Sequence, residues 1–338
     1  MLGRHFIVLG VCAFCALIAA GITVGLNPSY KEAIPDGKLL FPDLINKAKE
    51  VKVIKLHQAG HTMTFKNVAD NWGLDESDNY PVQQYKIAQV IFGVSQLKLL
   101  EAKTDKKDQW GKLHLEDPNL PNAKSQRLTL LDAEANIIAD LIVGRGNFSL
   151  PQTAGAGGIY IRQPQDEQTW LALGHLDLGV EPRDWLERRI VNITEDQVDL
   201  VTVVHPDGDI IRIRSEGDDF KLLNIPEGKA LTDKNIPRSY VSGVASLLLN
   251  DVKHAGKILI NDKDKIRVDF KLKDGLALKF ELWQENEMRW VAVEAIGGEN
   301  ALKVNSRIKG WAYNIPEYYY ELLAKKKQQL LKSIGKKP

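Results

Sequence analysis

Beyond Cys15 the sequence contains no cysteine. That absence removes any disulfide framework and any thiolate-held structural zinc from the rest of the chain. The two cysteines present, Cys12 and Cys15, have the C-x-x-C spacing of redox motifs. They stand inside an apolar run with no polar partner nearby, and they read as small apolar residues of that run. An excess of either charge is also lacking: 45 basic side chains face 44 acidic ones, a net charge of +1. A nucleic-acid binder needs a basic excess on one face, so the balance argues against DNA or RNA as the main partner.

The motifs that carry chemistry are missing as well. No Gly-x-Ser-x-Gly elbow occurs, and no Gly-Lys-Ser/Thr run enters a helix. What remains is an ordinary globular composition, 44% hydrophobic and 26% charged over 338 residues. A cysteine-free body of this length must be held by its apolar core, and it is long enough to bury one. It also suits an oxidising compartment such as a periplasm.

One long apolar run is present. Phe6 to Leu26 is 21 residues without a charge. As a helix it spans roughly 31 Å, the thickness of a bilayer's hydrocarbon core. The expectation is an uncleaved anchor, since a cleaved signal peptide has a shorter apolar stretch, and Ile18 stands where a small residue is wanted before Ala20. Arg4 precedes the run while Lys31 and Lys38 follow it, so charge bias leaves the orientation nearly tied. The short tail before the run reads most simply as the inner end, with the body outside.

The rest of the chain reads as one unit used in two copies. Val51–Leu56 and Val198–Val203 both alternate, and both are followed by a turn, Ala59-Gly60 and Asp207-Gly208. Thr62–Lys66 and Ile210–Arg214 then match, with Trp72 and Phe220 at the same offset. Next come two helical spacings. Pro81 opens one with Ile87, Val90, Ile91, Val94 and Leu97, and Pro237 opens the other with Tyr240, Val241, Val244, Leu247 and Leu248. Gly93-Val94 and Gly243-Val244 fall at matching places. Leu128–Leu131 and Ile137–Val143 parallel Ile266–Leu272 and Ala277–Trp283. Trp170–Leu173 is set beside Trp290–Val293, and Asp184-Trp185 beside Gly310-Trp311.

Gly158–Arg162, the later Trp170-Leu171-Ala172, and above all Pro182–Val191 followed by the strand Val198–Val203 resemble the bacterial domain-of-unknown-function family numbered 4340. The resemblance covers roughly residues 45–330, and its most specific element is the Asp184-Trp185-Leu186 link. It implies an N-terminal membrane helix, a repeated α+β body and a tryptophan-containing link. It also implies an extracytoplasmic accessory role in or beside ABC-type export and gliding-motility systems. No catalytic residues are established for that family, so none is carried over.

Each remaining motif has a plain structural reading. The run Thr153–Gly158 leads into a strand rather than a helix and reads as a hairpin loop, not a phosphate cradle. His57 and His61 lie four apart in a strand–turn–strand segment and read as turn residues rather than zinc ligands. Asp262 and Asp264 lack the glycine and terminal glutamate of a calcium loop, and Asp218-Asp219 is a turn. Asn147 and Asn192 begin glycosylation sequons, relevant only in a eukaryotic secretory route. Pro316–Leu331 reads as a helix packing Tyr319, Leu322, Leu323 and Leu330 inward, followed by lysines up to Lys337. Those cations suit a helix C-terminus or anionic headgroups.

The expected fold class is α+β: an N-terminal transmembrane helix followed by two tandem copies of a mostly antiparallel sheet-plus-helix unit. Residues 1–28 are expected to be the anchor, 29–48 a linker, 49–192 the first repeat, 193–334 the second with a C-terminal helix, and 335–338 a basic tail. The expected function is a binding or scaffolding protein of the bacterial inner membrane, with its body in the periplasm and a protein partner in the envelope of the ABC-transporter kind. No catalytic, cofactor-binding or metal-ligating residue is assigned. An envelope hydrolase assembled from sequence-distant residues is the alternative, and a deep pocket with converging polar groups and shifted titrating residues would distinguish it.

Overall fold

Period-two alternation dominates the chain, and strands are what form. The computed structural model describes residues 37–147, 157–258 and 264–334. The first half contains β1 (Lys38–Leu39), α1 (Leu44–Lys47), β2 (Val53–Gln58), β3 (His61–Val68), β4 (Asn71–Leu74), β5 (Tyr80–Pro81) and α2 (Gln84–Ser95). It continues with β6 (Lys98–Ala102), β7 (Gln126–Leu131), β8 (Ile137–Asn147), β9 (Gly158–Arg162) and β10 (Thr169–Leu173). The second half contains β11 (Val198–Val204), β12 (Ile210–Glu216), β13 (Asp219–Leu222), β14 (Lys229–Leu231), α3 (Ile236–Ala245) and β15 (Asp251–His254). After these come β16 (Ile266–Leu272), β17 (Ala277–Glu285), β18 (Met288–Ile296), α4 (Ala301–Ile308), β19 (Trp311–Asn314), α5 (Glu317–Ala324) and β20 (Leu331–Ser333).

Two large antiparallel sheets result, of ten and eight strands, beside a two-stranded one, β14-β20. Without β1 and β5 at its ends, the first runs β4-β3-β2-β7-β8-β9-β10-β6. The second runs β13-β12-β11-β16-β17-β18-β19-β15, the same path strand for strand. Tight turns at Ala59-Gly60, Ala69-Asp70 and Asn286-Glu287 have positive φ at both residues, the geometry whose twist matches flanking antiparallel strands. The residues facing inward also correspond. Ile54 and Leu56 pair with Leu130 and Leu128, as Val201 and Val203 pair with Phe270 and Val268. All eight are buried, and a single apolar core runs through both halves.

One helix lies against each sheet, with Ile87, Val90 and Val94 of α2 and Tyr240, Val241 and Val244 of α3 inward. Each helix has a glycine where a leucine from beyond the last long strand crosses it. A methyl on Gly93 would meet Leu176 Cδ2 at 2.8 Å, and one on Gly243 would meet Leu322 Cδ2 at 2.7 Å. The matched glycines therefore mark matched helix crossings.

The fold class departs from the α+β expectation. The described residues are mostly antiparallel sheet, and among them no helix is long and apolar enough to cross a membrane. Phe6–Leu26, with Cys12 and Cys15, lies outside the described residues. Helix is scarce because helical apolar spacing spans only about three turns in each half, while alternating segments recur along the whole body.

Other pairings shift. Pro81 does not open a helix: it closes β5, and α2 begins at Gln84. The counterpart of the Trp170 strand is β19, which carries Trp311, rather than β18, which carries Trp290. Trp185 lies beyond β10, so it has no equivalence with Trp311. The C-terminal helix stops at Ala324, and the chain turns to pair β20 with β14. Lys326 there donates to Asp207 and holds that carboxyl below the usual range.

Trp185 anchors the link between the halves. It is 1% exposed, its ring centroid lies 4.6 Å from that of Phe65, and Lys86 Nζ stands 4.7 Å over it. Its indole N–H donates to Gly179 O at 2.9 Å. From there the link is hydrogen-bonded on both sides. Gln83 N–H donates to Trp185 O and Glu187 N–H to Pro81 O in the first half. Leu249 N–H donates to Arg188 O and Ile190 N–H to Leu247 O in the second. Tyr80 completes the junction, edge-on to Trp311 at 5.1 Å and to Tyr313 at 6.0 Å.

Two outcomes follow for stability. Trp185→Ala should cost about 3–5 kcal/mol by urea denaturation, and Trp311→Ala, a half-buried ring, clearly less. Burial pushes the Tyr80 phenol from 10.0 up to about 12. The folded state therefore keeps that proton longer than the unfolded chain, so stability is full below pH 10 and falls as pH rises toward 12. Tyr80 alone accounts for roughly 2–3 kcal/mol of that loss. Tyr80→Phe should flatten part of the alkaline decline, while Tyr240 and Tyr313, also raised by burial, keep the remainder.

Candidate functional site

The two sheets share a path, so the segments they do not share are where the halves acquired different surfaces. Loops on a rigid scaffold are where binding residues concentrate. The second half carries α4 between β18 and β19, whereas the first half joins β9 to β10 by a short turn. The entries to the sheets differ too. Before β2 the chain forms α1, which touches β8 and buries Leu44. Before β11 the corresponding stretch, 191–194, is neither helix nor strand.

Between that stretch and α4 lies a cleft of about 560 Å³, within the usual size of a ligand site. Its floor is apolar: Val191, Ile193, Leu272, Leu276 and Leu278 are buried and Val304 half-buried. Its rim is polar and exposed, with Asn192, Gln197, Asn300, Lys303 and Arg307.

The position of α4 comes from two sequence features. Gly297 and Gly298 turn the chain out of β18 with φ of 69° and 66°, and Gly298 passes close over Leu276. Asn305 then completes the unpaired end of β18 as a strand neighbour would. Its Oδ1 accepts from Ala295 N–H at 2.8 Å, and its Nδ2–H donates to Ala295 O at 2.7 Å. Arg307 Nη2–H donates to Ile190 O at 3.0 Å, tying the helix to the link. On the opposite wall Lys273 N–H donates to Gln197 O at 2.9 Å, and Asp274 Oδ1 accepts from Leu276 N–H at 3.0 Å.

The residues singled out from the sequence lie elsewhere, apart from Asn192, which reaches the rim for reasons unrelated to its sequon. His57 and His61 flank the Ala59-Gly60 turn as strand residues. They are paired with Thr62 and Gln58 respectively, so their side chains leave opposite faces of the sheet. His57 Nδ1 lies 2.8 Å from Thr62 Oγ1. Among the described residues no group of His, Cys, Asp or Glu could hold a metal ion. Asp218 O and the Asp219 carboxylate both meet Arg238. Gly157 and Gly158 lead into β9, whereas 153–156, Asp262 and 335–338 are outside the described residues.

None of the groups with shifted protonation lines the cleft. Burial lowers Arg162, which lies beneath the β6–β7 segment with Trp110 3.9 Å from its guanidinium carbon and Leu115 O accepting from Nε–H at 2.9 Å. The Asn119 main-chain N–H lowers Asp117, and burial raises Tyr80, Tyr240 and Tyr313. Each has a structural partner in the fold.

Over residues 72–272 the sequence matches the family described as a domain of unknown function, DUF4340. No curated protein and no solved structure matches the chain.

Asn305→Ala should loosen α4 at a cost of about 1–3 kcal/mol, because two main-chain groups of Ala295 lose their partner. Hydrogen exchange should accelerate over 297–310 and leave the amides of β2, β7 and β8 protected as before.

Proposed function

Because the chain belongs to the DUF4340 family, a domain of unknown function, kinship supplies no reaction or ligand, and we propose on the geometry that it works by binding a protein partner and has no catalytic centre. The observation that carries this reading is the cleft at α4. It is built from the helix that the otherwise matching first half lacks. An apolar floor ringed by polar groups suits recognition. The cysteine-free body and the accessory role implied by the family resemblance support work on the extracytoplasmic side of a bacterial envelope, beside an export-type complex.

The test is affinity purification of the tagged full chain after cross-linking in cells, with partners identified by mass spectrometry. Wild type is compared with K303E/R307E at the cleft and with K55E on β2 of the first half. The double variant, with its folded fraction checked by urea denaturation, should recover its partner at least about tenfold less than wild type, and K55E should match wild type. Equal recovery from the double variant would remove the cleft from partner binding. A single Asp, Glu or His to Ala change that abolished function with folding and partner recovery intact would favour the hydrolase instead.

A further inference from the structure

The chemistry of the cleft, taken with the binding role proposed above, narrows the partner's contribution. Three observations converge. First, Val191, Asn192 and Ile193 line one wall; their main-chain N–H and C=O groups make no hydrogen bond among the described residues, and Asn192 is exposed between two buried neighbours. Unpaired main chain beside an apolar floor is the arrangement that accepts another chain strand-wise, with main-chain bonds for affinity and pockets for alternate side chains. Second, the floor offers aliphatic side chains from two directions, Leu272, Leu276 and Leu278 from the sheet and Val304 from α4. Third, the rim carries two cations against one acid. Lys303 and Arg307 stand four residues apart on α4, hence on one face, and neither has a carboxylate partner among the described residues. The one acid of the lining, Asp274, accepts from the Leu276 N–H within its own turn, on the wall opposite α4.

We propose that the cleft takes an extended aliphatic segment of the partner's chain, paired with the main chain at Asn192, with an acidic side chain of that segment held by Lys303 and Arg307. Extended chain advances about 3.3 Å per residue, so three to five residues fill the cleft. The cations select the carboxylate and set its register, while the floor supplies most of the contact area. Arg307 can serve both walls, because one of its N–H groups is spent on Ile190 O and others remain for a carboxylate.

Fluorescence anisotropy with the full chain tests this directly. The probes are labelled pools of peptides about nine residues long with alternating aliphatic positions. One pool carries a central Asp or Glu, a second Asn or Gln in its place, and a third the acidic residue with alternate amides N-methylated. The acidic pool should bind at least about tenfold more tightly than either of the others. K303Q/R307Q, checked for an unchanged urea midpoint, should erase the advantage of acidic over neutral peptides. L302S, altering a side chain 86% exposed outside the cleft lining without adding charge, should leave it intact. Equal binding of the acidic and neutral pools would overturn the electrostatic half of the proposal, and equal binding of the N-methylated pool the strand-wise half. If no pool binds while K303E/R307E still loses its cross-linked partner, the peptide proposal fails and the binding role stands. If the partner is retained as well, both fall.

Discussion

The protein depends on one strap of chain, Trp185 to Ile190, hydrogen-bonded to the first half along one side and to the second along the other. Main-chain groups buried between two sheets must find partners or cost free energy, and here they find them in both halves at once. Trp185 sinks one end of the strap against Phe65, and Ile190, 1% exposed, buries the other. The two sheets therefore share a single core instead of meeting as separate bodies. The cleft follows from the same strap. Just past Ile190 the chain leaves its last partner, and the next three residues form an unpaired wall before β11 begins.

Use of one strand path by both halves separates what holds the fold from what distinguishes its surfaces. At matched inward positions the core exchanges Leu128 and Leu130 for Val268 and Phe270, and Leu141 for Phe280, with every residue buried. Cores accept such exchanges when total volume and pattern are kept. The unshared segments obey no such constraint. In the first half the long β6–β7 connection covers the outer face of the sheet and buries Arg162 against Trp110. In the second, α4 is laid across the end of the sheet by Asn305, a side-chain amide standing in for a strand. Gln84 does the same in the first half, bracketing the main chain of Trp72.

Alternation identified the strands because side chains of successive residues leave opposite faces, so a half-buried strand writes its own pattern. The helical spacing of Ile87–Val94 and Tyr240–Val244 was equally legible. Glycines at 93 and 243 were visible as a pair, though only the crossing of Leu176 and Leu322 explains them. Matching by tryptophan failed, since Trp170, Trp185, Trp290 and Trp311 are spread over strands and link by tertiary need rather than by repeat position. Pro81 misled for a related reason. Its missing N–H suits the end of a short edge strand as well as the first turn of a helix.

The sequence by itself determined the elements, the inward face of each strand and the charge balance, because these depend on neighbours two to four residues apart. It also determined the family, through local patterns of the same range. Only the tertiary structure decided which strands correspond, how the link is held, and that a cleft exists. The cleft draws on residues 191–197, 272–278 and 300–307, segments that carry no common motif and meet only once the sheet has closed. Its polar rim looks in the sequence like any other solvated surface, and its floor like any other core. What distinguishes it is the missing neighbour between them, and that is a property of space rather than of sequence.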